Sequence, residues 1–186
     1  MEERIFTSAH NMLPEVISLY LKPKYDGLAA LLRREPDAQA VLKGAPGYSS
    51  IIGMTFFYQA DGGVLVVAQV QGLPKSSGSC PADVFAFHIH SGRVCAGNSE
   101  DPFAEAGPHF NPSGCPHPAH AGDLPPLFGC NGYAFLAVFT NRFTVKDVIG
   151  RTVIIHRSPD DFKTQPSGDA GAKIACGVIA AGTAKS

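Results

Sequence analysis

The chain has 186 residues, 45% of them hydrophobic and 17% charged, a balance that suits one packed domain and argues against intrinsic disorder. A formal net charge of −1 excludes a general nucleic-acid or membrane-surface role on charge alone. No run approaches the roughly 18 apolar residues of a membrane helix. The start, Met1-Glu2-Glu3-Arg4-Ile5-Phe6, lacks the basic and apolar regions of a secretory signal, so the expected compartment is the cytoplasm, with non-classical export left open.

Residues 1–37 read as an N-terminal extension of helical character. Asn11 is placed to cap a short helix with Pro14 in its first turn and Val16, Ile17, Leu19 and Tyr20 along it, stopped by Lys22-Pro23. A second helical piece spans residues 28–34 and stops at Glu35-Pro36. From Ala38 the pattern changes, and residues 38–186 form the main domain. Strands are expected over 39–43, 51–58 and 64–72, the last two split by the hairpin signal Asp61-Gly62-Gly63. Further strands follow at 84–90, at 133–140 after Asn131-Gly132, at 152–156 and at 174–179. Between them, residues 91–128 are rich in Gly, Pro and Asn; a span this long without regular structure inside a compact domain is usually functional. With 20 Gly and 15 Pro, the fold class is all-β: an eight-stranded Greek-key barrel or sandwich with long functional loops.

Five histidines, His88, His90, His109, His117 and His120, fall within residues 87–124, together with Asp123. Side chains alternate along a strand, so His88 and His90 share one face while Phe87 and Ile89 take the other. His109 lies in a stiff, polar Gly-Pro-His-Phe-Asn-Pro loop, and His156 ends the strand 152–156, where the plainer reading is a surface histidine. Three histidines and an aspartate suit tetrahedral zinc, and four histidines without sulfur suit copper. Six imidazoles and one aspartate are one nitrogen short for both sites unless one ring is shared. The five cysteines, Cys80, Cys95, Cys115, Cys130 and Cys176, form no Cys-x-x-Cys pair, which argues against a thiolate zinc site.

Taken together, Phe87-His88-Ile89-His90, the loop 107–112, His120-Ala121-Gly122-Asp123-Leu124 and the segments 149–156 and 168–179 closely resemble the copper/zinc superoxide dismutases, in a bacterial-type variant. The resemblance covers roughly residues 38–182. It implies a Greek-key barrel that converts two superoxide radicals to O2 and hydrogen peroxide by cycling copper, with zinc in a structural and tuning role. By the same resemblance copper is held by His88, His90, His109 and His156, and zinc by His109, His117, His120 and Asp123, with His109 as the bridge. Asp160 matches the carboxylate that orients one histidine of each set. His109 and Lys173 take the catalytic positions, as proton carrier and channel cation. Cys95 and Cys176 match the family disulfide, a closure of about 80 residues worth on the order of 4–5 kcal/mol on a chain-entropy model. A homodimer is expected, with a monomer as the alternative, and a copper chaperone is an expected partner. A copper-only dismutase and a non-catalytic copper-binding or delivery domain are the competing readings; domains of the latter kind usually lose a copper ligand, and here the set is complete.

The chain departs from the pattern in two ways. Lys173 stands where the family has arginine, which keeps the charge but loses the rigid donor fork. The loop carrying His117 and His120 is tight, and the loop 161–167, where the family places its electrostatic guide residues, is short. A second disulfide, Cys115–Cys130, would brace the tight loop, the alternative being two buried thiols.

Overall fold

The computed structural model describes residues 27–77 and 83–182. The helix expected at residues 11–22, and Cys80, lie outside the described residues. The chain divides into two units at Arg34–Glu35. In the first, a single helical turn, α1 (Leu28–Leu31), falls in the expected second helical piece.

The second unit is an all-β barrel. Its strands are β1 (Ala38–Gly44), β2 (Ile52–Ala60), β3 (Gly63–Gln71), β4 (Val84–His90), β5 (Asp123–Phe128), β6 (Tyr133–Thr140), β7 (Thr152–His156) and β8 (Lys173–Ala181). They run in the order β5-β4-β7-β8-β1-β2-β3-β6, every neighbouring pair antiparallel. The ends of this sheet, β5 and β6, approach one another and nearly close the barrel. The connections β3–β4 and β6–β7 cross between non-adjacent strands, which is the Greek-key feature. One short helix, α2 (Val145–Val148), sits in the second crossing. Thr144 and Asp147 cap it reciprocally.

Alternation along the strands sorts the side chains. Leu42, Phe57, Val66, Phe85, Phe87, Ile89, Leu127, Ile155, Ile174 and Ile179 fill the interior. The Asn131-Gly132 signal forms a tight turn with φ of 54° and 81°, both in the left-handed region that this pair tolerates.

One strand was not expected. β5 reads Asp-Leu-Pro-Pro-Leu-Phe, and prolines cannot donate to a ladder. The register explains it. Phe85 pairs with Leu127 and Phe87 with Leu124, so Pro125 and Pro126 together oppose Ala86 across a bulge. The Ala86 amide turns instead to the Ser158 carbonyl, at 2.9 Å. β5 is also a strand at the end of the sheet order, where a missing donor is tolerated.

Outside the barrel, Phe103, Ala106, Ile154 and Cys176 form a smaller apolar cluster with Cys95 against it. The Cys95–Cys176 disulfide ties the loop after β4 to β8 at this point.

Candidate metal centre

Side chains on β4 alternate, so Phe87 and Ile89 enter the barrel core and His88 and His90 face the loops that cover it outside. Antiparallel pairing sets β7 beside β4, with His88 opposite Ile154. The end of β7 therefore carries His156 to the same place. His109 joins through an isolated bridge to His90. His117 and His120 lie on the following loop, and Asp123 is the first residue of β5, paired with His88. All six histidines, Asp123 and Asp160 are buried.

The side chains converge as two groups that share one ring. One potential ligand atom from each of His88, His90, His109 and His156 lies within 4.8 Å of the others, and the same holds for His109, His117, His120 and Asp123.

Hydrogen bonds fix which nitrogens are available. His90 Nδ1 is 2.7 Å from the Gly107 carbonyl, and His156 Nδ1 is 3.0 Å from the Gly171 carbonyl. A carbonyl only accepts, so both Nδ1 atoms carry protons. In the neutral rings, both Nε2 atoms are then bare lone pairs, and they face each other at 3.2 Å. Two acceptors at that distance repel unless a cation lies between them. His88 Nε2 donates to Asp160 Oδ2 at 2.8 Å, leaving its Nδ1 buried and without a partner. His109 Nε2 is buried and without a partner as well. Buried polar atoms are rarely left so, and each marks a place where a ligand fits.

In the second group His117 Nε2 donates to Asp160 Oδ1 at 2.9 Å, so Asp160 holds one ring of each group. Asp123 Oδ1 is 2.7 Å from His109 Nδ1 and 3.3 Å from His120 Nδ1, and Asp123 Oδ2 is 3.1 Å from His117 Nδ1. Nitrogen and hard oxygen donors around one point match the zinc preference.

Burial favours the neutral rings of His88, His90 and His156. Burial pushes the His156 pKa down to about 3, with the neighbouring His88 adding to it and the Gly171 bond opposing. Burial likewise lowers His88 and puts His90 well below its ordinary value. Burial alone would raise Asp160 and Asp123, but hydrogen bonds reverse it. His88, the Phe162 amide and His117 hold Asp160 far below the usual carboxylate range. His109, with the neighbouring His120 and His117, lowers Asp123.

The tight loop is braced by side chains from elsewhere. Arg142 Nη1 donates to three of its carbonyls, Pro118 at 3.1 Å, His120 at 3.2 Å and Asp123 at 3.1 Å. Gln165 pairs with the His117 backbone in both directions, at 2.7 and 2.9 Å, and Asn111 does the same for Cys115, at 2.8 and 3.0 Å. Gly168 sits so close that a Cβ there would meet Asp160 Oδ1 at 2.1 Å. These braces were not visible in the sequence. Asn111 fell inside a motif, but Arg142 and Gln165 had no local signal.

The expected Cys115–Cys130 disulfide is absent; both cysteines are free, Cys130 exposed. Cys115 is held by Asn111, and Cys130 closes the turn to Tyr133 through backbone bonds. Asn111, Gln165 and Arg142 supply the support that the second disulfide was expected to give. Lys173 lines a pocket of 720 Å³ with His90, His109 and His156, but its Nζ is 2.5 Å from Asp101 Oδ2. The charge of the expected channel cation is thus already matched.

A family model described as copper/zinc superoxide dismutase (SODC) matches residues 51–179. A relative, "Superoxide dismutase [Cu-Zn] 2" of Aquifex aeolicus (strain VF5), is 32% identical over 167 residues, covering 82% of this chain and 91% of its own length. The chain belongs to the copper/zinc superoxide dismutase family. It is a superoxide dismutase by that membership, and copper and zinc are the metals the family implies for its two ligand groups. No helix of this dismutase, among the described residues, is long and apolar enough to cross a membrane.

Proposed function

We propose that copper is held by His88 Nδ1 and by Nε2 of His90, His109 and His156, and that zinc is held by Nδ1 of His109, His117 and His120 with the Asp123 carboxylate. The observation that carries this reading is the pair of bare Nε2 atoms of His90 and His156, locked 3.2 Å apart by their carbonyl partners. Metals bound there supply a one-electron couple that oxidises one superoxide and reduces the next, and a fixed positive charge behind His109. The protein does the rest. Gly107 and Gly171 fix the tautomers of His90 and His156. Asp160 orients His88 and His117 together, so the two groups are not adjusted independently. His109 is the one ring common to both groups, with Nδ1 on the zinc side and Nε2 on the copper side. It holds a proton at Nε2 in one half of the cycle and yields it to the reduced oxygen in the other.

Metal analysis and superoxide consumption after loading test this together. The wild type is expected to carry one copper and one zinc per chain. His156→Ala is expected to keep zinc while losing most copper and nearly all dismutation. A loaded wild type no faster than free copper, or a His156→Ala variant that binds copper undiminished, would sink the assignment.

A further inference from the structure

Beside the pocket that His90, His109 and His156 line is a second hollow of 460 Å³. The two share Phe110, Pro112 and Arg151 as a common wall. Four cations line the second hollow, Arg93, Arg142, Lys146 and Arg151, against a single carboxylate, Asp147. That excess of positive charge is local, since the chain as a whole carries −1.

Among the described residues none of these cations is in an ion pair, and Asp147 alone offers an opposing charge. Asp147 is turned to the Thr144 amide and hydroxyl, both at 2.7 Å. Arg151 gives hydrogen bonds to the carbonyls of Asp147 and Ser91 and lies over the Phe110 ring, 3.9 Å from its centre. The Arg142 side chain bonds carbonyls only. Neither Arg93 nor Lys146 has an ion-pair partner among the described residues. Burial first, and then the charge of Arg93, lower the Arg151 pKa, with Asp147 opposing, which places the two guanidinium groups near each other. A hollow with a clear excess of one sign of charge over low-dielectric walls concentrates the opposite ion. By contrast, Lys173, on the copper side, is cancelled by Asp101.

We propose that the hollow formed by Arg93, Arg142, Lys146 and Arg151 is the entry site for superoxide, gathering the anion at the rim of the histidine pocket in place of Lys173 and the short loop 161–167. The assignment rests on the dismutase reading and adds the route by which the substrate arrives. Arg151 is the shared residue across which the anion passes from one hollow to the other.

The test is an Arg93→Gln/Lys146→Gln double variant, which leaves the metal ligands and their braces untouched. In the copper- and zinc-loaded protein the wild-type rate is expected to fall as salt is added, because screening weakens steering. The double variant is expected to be slower by about three- to tenfold at low ionic strength and to meet the wild type at high salt. A double variant that matches an active wild type at every ionic strength overturns the entry site while leaving the dismutase reading intact. A second readout does not depend on turnover. In the Cu(I), zinc-loaded wild type, inorganic phosphate is expected to shift the backbone amide resonances at positions 93 and 146 saturably, and those at the same positions in the double variant are expected not to shift. Absence of that shift in the wild type also overturns the site. If the loaded protein proves inactive, the dismutase reading fails, and the phosphate titration alone decides whether the hollow binds anions.

Discussion

The two ligand groups that share His109 are built by different means. His88, His90 and His156 stand on β4 and β7, two paired strands whose other faces are the fully buried Phe87, Ile89 and Ile155. The pleat and the ladder set their spacing, and the packed core resists any shift. His117 and His120 stand on a loop outside the strands, and Asp123 opens a strand at the end of the sheet order. Their positions come from polar contacts with Arg142, Gln165 and Asn111. One half is positioned by hydrophobic packing, the other by hydrogen bonds to carbonyls and amides. A centre built this way tolerates a short loop, provided that the distant side chains holding it are present.

The largest test of that contrast is Asp160→Ala, since Asp160 is the carboxylate that grips both halves. Its removal frees His88 Nε2 and His117 Nε2 together, and affinity for both metals is expected to fall about 10–100-fold in competition titrations. If only zinc weakens, the strands alone hold His88 and Asp160 serves the loop. Next comes Arg142→Ala, which strips one donor from three carbonyls of the loop. Zinc affinity is expected to drop about tenfold with copper affinity unchanged, and stability to fall by about 1–3 kcal/mol in denaturant titrations. Arg142→Lys should recover part of the zinc affinity. Equal losses for both metals would show that the halves are not independent.

The same contrast explains what the sequence made legible. β4 was readable because alternation and β-branched or aromatic content agree over residues 84–90, and that alternation placed His88 and His90 on one face. The candidate ligand groups were readable because imidazole and carboxylate are chemically distinctive. β5 was not, because Pro125-Pro126 argues against a strand unless the bulge opposite Ala86 is known. The braces were hidden for a related reason. Arg142 reaches backbone groups 19 to 24 residues earlier in the chain, and Gln165 reaches 48 back. Contacts with main-chain atoms require nothing of the partner's side chain, so no spacing rule records them. The Cys115–Cys130 expectation failed at the same place. It inferred that the short loop needed a brace, but not that polar side chains supply it.

The smallest effect concerns Lys173 and Asp101, a strand residue leaning on a loop residue 72 positions away. Lys173 opens β8 beside the histidine pocket, and Asp101 belongs to the loop after β4. Burial would raise the Asp101 pKa, but the Lys173 hydrogen bond and an amide bond from Phe103 lower it, so the pair is charged and nearly cancels as seen by an approaching anion. Removing only the ammonium, in Lys173→Gln, leaves a carboxylate near the pocket and should slow dismutation about twofold at low ionic strength. Removing only the carboxylate charge, in Asp101→Asn, should speed it by a similar factor. The Lys173→Gln/Asp101→Asn variant should return close to the wild-type rate at every salt concentration. Rates measured across ionic strength decide the matter. A double variant as slow as Lys173→Gln alone would mean that the ammonium touches the substrate directly, and that this strand-borne cation works independently of the loop carboxylate beside it.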